Sequence, residues 1–403
     1  MKVPHLIIAG LVVTLSLTAF KTISPDWGFY GHRKINRMAV FTLPPDLIGF
    51  YKSHIEYITE HAVDPDKRRY ATKHEAVRHY IDVDHWGEYP FDNVPRLKHD
   101  AYLQFADFLL IEDGDTTTYL WPCQPDSLDR KSRYLPIDCD SSYQFYRELI
   151  DPIYYADEQV ISQRSLRRFL VDESELKGKD LTFVDNFSGY GILPFHLKDY
   201  YATLVGAFAK KDITKILRIS AEMGHYIGDA HVPLHTTENY NGQFTDQLGI
   251  HAFWESRLPE LFADETYDFY VGRAEYVDEV GPYFWDVVLE SHTYLAAVLD
   301  NEKDLSILYP QDQQYCFETR LERSVRTQCT EYAGAYHKSL DGMVELRMQD
   351  AVLSIGSIWY SAWIDAGSPD LSVLTHEQII AESRDTLEQK FQNGKLFGRD
   401  HTN

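Results

Sequence analysis

"MGHYIGDAHVPLH", residues 223 to 235, puts three histidines and an aspartate into one short span of chain. His225 and Asp229 are four residues apart, so on a helix they share one face. Pro233 ends or bends that helix just before His235. The preceding residues, "ITKILRISAEMGHYIGDA", read as a helix, with "KDYYATLVGAFAKKD" as another before it, joined near Lys211-Asp212. Such an array is either a solvated polar helix end or a metal site, and the rest of the chain must decide between them.

The same spacings recur elsewhere. "HAFWE" gives His251 and Glu255, again four apart on one helical face. "RHYID" gives His79 and Asp82, "AVDPDKRR" gives Asp64 and Asp66, and "WGFYGH" gives Trp27 and His32. Imidazole mixed with carboxylate suits zinc, which accepts both in fixed geometry. One such pair is more often a surface pair than a ligand pair; two beside a third histidine are harder to dismiss.

The bulk properties bound the class. A chain of 403 residues with 44% apolar content is long enough for a large core, and it reads as globular. A net charge of −23 argues against a nonspecific grip on a polyanion, which rests on Lys and Arg. It does not exclude a nucleic-acid substrate held through metal ions. Lys2 followed by the apolar run Leu6 to Phe20 reads as an export signal, short of the roughly 20 residues a membrane span needs. Four cysteines fit an oxidising compartment; Cys123 and Cys139 flank one polar stretch, Cys316 and Cys329 another, and the pairing stays open.

The pattern is helical nearly throughout, and an all-α fold is expected. "HRKINRMAVFTL" is a helix stopped by Pro44-Pro45, and Leu47 to Thr59 continues as a second. Residues 281 to 300 and 331 to 365 look like long helices, and Thr375 with Gln378 caps an amphipathic one. Residues 86 to 190, with prolines, acidic turns and the first cysteine pair, read as a large excursion from this scaffold. The expected organisation is a signal and leader over 1–26, one domain over 27–365 with the 86–190 insertion as a possible lid, and a helical tail over 366–403.

Taken in order, "WGFYGH…HYID…HYIGDAHVPLH…HAFWE" resembles the phospholipase C/P1 nuclease superfamily of zinc-dependent phosphodiesterases, over a little more than half of the chain. The resemblance implies a multi-helix fold and a cluster of zinc ions, two or three in number. It implies that Asp64, His79, His225 and Asp229 hold one zinc and that His235, His251 and Glu255 hold a second. Trp27, through its backbone, and His32 would hold a third, bridged to the first by Asp229. Asp64 and Asp229 are the carboxylates it marks as catalytic, and His231 is left to support the ligands. Tyr80 and Asp82 fall where the family contacts its substrate. Zinc lowers the pKa of bound water toward roughly 7, so no serine or cysteine nucleophile is required.

At two places the chain departs from that pattern. Asp26 is a poor residue to precede a signal-peptidase cut, and a cut near Ala19 or Ser24 leaves Trp27 without a free amine. Glu255, where the nucleases have Asp, resembles the bacterial phospholipases, whereas the W-x4-H spacing resembles the nucleases. The expectation is therefore an exported phospholipase C-type hydrolase of phosphodiester bonds, acting as a monomer without a stable protein partner. An S1/P1-type nuclease on single-stranded nucleic acid is the alternative, and a non-catalytic zinc-stabilised surface protein is the reading from another class.

Overall fold

The computed structural model describes residues 29–69, 72–123, 133–156, 158–172, 176, 178–320 and 323–374. The stretch expected to be an export signal, Trp27 and the stretch from Thr375 expected to be an amphipathic helix lie outside the described residues.

The centre of the scaffold is the helix Ile213–Ala230. It starts where the Asp212 carboxylate accepts the Lys215 amide at 3.2 Å, an N-cap that satisfies one of the free donors of the first turn. From Ile219 onward every residue of this helix is buried, and burial continues through Thr237. It packs against Leu193–Ala209, Phe29–Ala39 and Met343–Asp365. Two glycines let Phe29–Ala39 come close. A Cβ on Gly224 would lie 2.0 Å from Asn36 Oδ1, and one on Gly228 would lie 2.7 Å from Ile35 Cδ1 and 3.0 Å from His32 Nδ1. The close approach is fixed by Asn36 Nδ2, which donates to the Ala221 carbonyl at 2.8 Å. On the opposite flank, Trp359 Nε1 donates to the Ser220 carbonyl at 3.1 Å, and its ring stacks on Tyr51.

Several expected helices are divided. Leu47 to Thr59 is two helices, Pro45–Ser53 and Ile55–Glu60, and 281 to 300 falls on Val280–Thr293 and Leu295–Leu308. The 331 to 365 stretch is Thr330–Ser339 and Met343–Asp365, separated at Gly342, whose φ of +80° continues no right-handed helix.

The all-α expectation needs correction: the protein is mostly helical but carries two sheets. The excursion holds strands β1 (Ala106–Glu112), β2 (Asp115–Leu120), β3 (Arg133–Tyr134), β4 (Val160–Ile161) and β5 (Leu181–Asp185), in the spatial order β3-β2-β1-β5-β4. The β2–β3 pair is parallel and the others antiparallel. Asp113-Gly114, both at positive φ, makes the tight turn that matches the twist of a β1–β2 hairpin. Ala106, Phe108 and Leu110 point inward and join the hydrophobic core that also holds the scaffold helices. A second core lies under Val232, Ile250, Phe253, Tyr332 and Tyr336. Beside it β6 (Tyr315–Arg320) and β7 (Arg323–Gln328) form a hairpin.

Both disulfides are local, Cys123–Cys139 and Cys316–Cys329, and they fit an oxidising compartment. No helix among the described residues is long and apolar enough to cross a membrane.

Candidate metal centre

Five segments converge on the end of helix Ile213–Ala230. His225 and Asp229 stand one turn apart on it, both buried. Pro233 breaks the chain into the short turn Pro233–Thr236, which brings His235 back toward Asp229. His32 comes from Phe29–Ala39, across the glycine contact, and its ring stacks on His225 with centroids 3.8 Å apart. Asp66 comes from the short helix Asp64–Arg68, and His79 follows the helix Lys73–Ala76. His251 and Glu255 lie on a helical stretch that widens to a π-helical turn over Phe253–Arg257, a feature frequent at functional sites.

The side chains form two groups joined by two carboxylates. In the first, Asp229 Oδ2 lies 2.9 Å from His79 Nδ1 and 3.4 Å from His225 Nε2, and the two nitrogens are 3.1 Å apart. Asp66 Oδ1 lies 3.8 Å from His225 Nε2 and 3.9 Å from His79 Nδ1. In the second, Glu255 Oε2 lies 2.7 Å from His251 Nε2 and 3.4 Å from His235 Nε2. Between them, His32 Nε2 is 3.4 Å from Asp229 Oδ1 and 3.3 Å from Glu255 Oε1. Each bridging carboxylate thus offers one oxygen to each side, and four overlapping sets of three donors lie within 4.8 Å of one another.

The histidine tautomers decide what this cluster can hold. His225 Nδ1 lies 2.9 Å from the Ala62 carbonyl, His235 Nδ1 2.6 Å from that of His79, and His251 Nδ1 3.0 Å from that of Tyr240. A carbonyl only accepts, so each Nδ1 carries the proton and each Nε2 aims a bare lone pair at the carboxylates. Protonating the rings would turn these facing acceptors into hydrogen bonds, but burial opposes it. Burial pushes His225 well below the usual histidine range, with the nearby His32 adding to the effect, and it pushes His235 down to about 4. Burial, then Glu255 and Asp66, raise Asp229 well above the usual carboxylate range. Lone pairs of imidazoles and carboxylates converging in a buried space are the donor set of a divalent cation. Imidazole nitrogens backed by backbone carbonyls are the usual outer support of such a site. The residues present fit zinc.

Of the residues expected to hold metal, the structure brings seven together. His32, His79, His225, Asp229, His235, His251 and Glu255 meet as expected, and Trp27 lies outside the described residues. Asp64 does not join them. Its Oδ2 lies 2.5 Å from His61 Nδ1 and its Oδ1 3.3 Å from Lys67 Nζ, and Asp66 stands in the place expected for it. Two residues apart on a helix are turned about 200° from each other, so only one of the pair can face the cluster. His231 turns toward helix Met343–Asp365, with Nδ1 on the Ile227 carbonyl at 2.8 Å and Nε2 3.1 Å from Ser354 Oγ. Tyr80 is buried with its hydroxyl on the Gly189 carbonyl at 3.1 Å, and Asp82 is buried with its amide on the Tyr190 carbonyl at 2.7 Å.

A cavity of about 40 Å³ borders His32 and Glu255, walled mostly by Ile35, Val232, Trp254 and Met348. Compared with models of known protein families and with curated protein sequences, the chain matches none.

Proposed function

We propose that the protein is an exported zinc-dependent hydrolase of phosphodiester bonds, of phospholipase C type. The observation that carries this reading is the buried cluster in which Asp229 and Glu255 each face donors on both sides. Asp66, His79, His225 and Asp229 would hold one zinc, and His235, His251 and Glu255 a second, with His32 between Asp229 and Glu255. Zinc bound there supplies Lewis acidity, which makes water nucleophilic near neutral pH and offsets charge on a phosphoryl oxygen. The ordered motifs that resemble the phospholipase C/P1 nuclease superfamily support the same chemistry.

The chain's own residues do the positioning. The carbonyls of Ala62, His79 and Tyr240 fix three imidazoles in one tautomer, so their donor atoms are set before any ion arrives. Burial of the carboxylates keeps bulk water from competing for them. Around the cluster, Ile81 donates its amide to the His235 carbonyl at 3.0 Å, and Thr237 Oγ1 to Asp84 Oδ2 at 2.5 Å. These bonds tie the two segments that carry His79 and His235 into one wall.

The outer edge of that wall favours a lipid headgroup over a polynucleotide. Exposed Asp84, part-exposed Glu238 and the stacked rings of His85 and Tyr190, 3.4 Å apart, are acidic and aromatic. Such a surface suits a quaternary ammonium and repels a polyanion. The test is the zinc-loaded mature protein on phosphatidylcholine, single-stranded DNA, RNA and bis(p-nitrophenyl) phosphate. Cleavage of the lipid and the small diester, abolished by chelation, is expected. Cleavage of nucleic acid alone would replace the substrate with that of a nuclease, and no turnover despite bound zinc would make the cluster a structural element of a surface protein.

A further inference from the structure

Five imidazoles of the cluster face the carboxylates, and three of them have a backbone carbonyl behind the ring. His79 differs. It presents Nδ1 to Asp229 and His225, and its Nε2 points the other way, toward Glu75 Oε1 at 4.0 Å. Glu75 and His79 are four residues apart, and Glu75 is 1% exposed. A buried carboxylate needs a reason to be there, because taking it out of water costs several kcal/mol.

The surroundings hold Glu75 in place rather than using it up. Arg68 spans it, with Nε 3.3 Å from Oε2 and Nη2 3.3 Å from Oε1, and Arg78 Nη1 donates to Oε2 at 2.9 Å. The Tyr226 hydroxyl donates to Oε1 from the same helix that carries His225. Arg68 is itself shared, donating from Nη1 to Glu222 Oε1 at 2.6 Å, and Glu222 also takes the Tyr200 hydroxyl. Glu75 Oε1 lies 4.0 Å from the His79 Nε2.

We propose that Glu75 is the positioning residue of His79: its carboxylate stands behind the ring, keeps the proton on Nε2 and so leaves Nδ1 as the donor toward the metal. A carboxylate in this place does more than a carbonyl, since its charge raises the basicity of the ring and strengthens its bond to the ion. The 4.0 Å separation is outside hydrogen-bond range. It is short enough for the charge to act across a space with no bulk water.

This inference rests on the zinc reading of the cluster, and its test separates the two. Apoprotein is titrated with zinc against a competing chelator, and the melting temperature of each apo form is recorded. Glu75→Gln, which keeps shape and an acceptor but not charge, is expected to weaken one class of zinc site by about 10- to 100-fold. The class that contains His235, His251 and Glu255 should stay within threefold, while the apo melting temperature should fall, because Arg68 and Arg78 lose their charged partner. Glu75→Asp, which keeps the charge one methylene further back, is expected to recover most of the loss, and it carries the test if Glu75→Gln does not fold. Equal loss at both site classes would make Glu75 a purely structural ion-pair partner and overturn the proposal. Unchanged affinity in Glu75→Gln would overturn it as well, while a wild-type protein that binds no zinc would take the metal reading down with it.

Discussion

The last three turns of helix Ile213–Ala230 and strand β1 are both packed into the same core, and they are built on opposite terms. The strand alternates, with Ala106, Phe108 and Leu110 inside and Asp107, Leu109 and Ile111 on the more exposed side. The helix is buried all round, and among its buried residues are Glu222, His225 and Asp229. Burial of apolar area stabilises the strand without further help, at about 25 cal/mol per Å². The helix carries charge and lone pairs into the interior, where they cost free energy unless something answers them. Glu222 is answered by Arg68, whereas Asp229 faces the imidazoles of His32, His79, His225 and His235. A buried polar helix in a large protein is therefore a place to look for a missing cation, and a buried alternating strand is not.

The sharpest way to break that contrast is Asp229→Asn, which keeps the shape and removes the charge shared by the two donor groups. Phosphodiesterase activity is expected to fall by several orders of magnitude while helical circular dichroism persists. Without metal the sign reverses. Burial and the neighbouring Glu255 and Asp66 already raise Asp229, so the apo form of Asp229→Asn should melt no lower than apo wild type. Activity within tenfold of wild type would remove Asp229 from the mechanism.

A smaller effect decides between the two aspartates of the helix Asp64–Arg68. Asp66→Asn should weaken zinc binding by about 10- to 100-fold, as expected for loss of a charged donor or its support. Asp64→Asn, which disturbs His61 and Lys67, should leave zinc affinity within a few-fold. The reverse order in a chelator competition would restore Asp64 to the site.

The smallest effect belongs to the sheet. Asp185, at the end of β5, accepts the Phe187 and Ser188 amides at 2.9 Å each. Asp185→Ala should cost about 1 kcal/mol in a urea melt, equally with and without metal. A metal-dependent cost there would show that the excursion and the centre are coupled, contrary to the contrast drawn above.

How much of this was legible differs in the same way between the two regions. The His225–Asp229 and His251–Glu255 spacings translate directly into helical faces, whereas the full ligand set came only from the resemblance of the ordered motifs. Asp64 and Asp66 could not be told apart, since which way a short helix is turned depends on its neighbours and not on its own residues. Glu75 carried the same four-residue spacing to His79 in "KHEAVRH" and passed unnoticed among surface-like charges. The sheet was missed because its information is long-range. Ala106 pairs with Asp185, and β3 and β4 are two residues each, too short to show a period. Asp341-Gly342, a turn signal inside an otherwise helical pattern, marked the break before Met343.

The central claim, that the converging lone pairs exist to hold zinc, is tested most directly by counting the metal. Elemental analysis of the purified mature protein, repeated after refolding with zinc supplied, should find two or three zinc ions per chain. Less than one zinc per chain under both conditions would contradict the account.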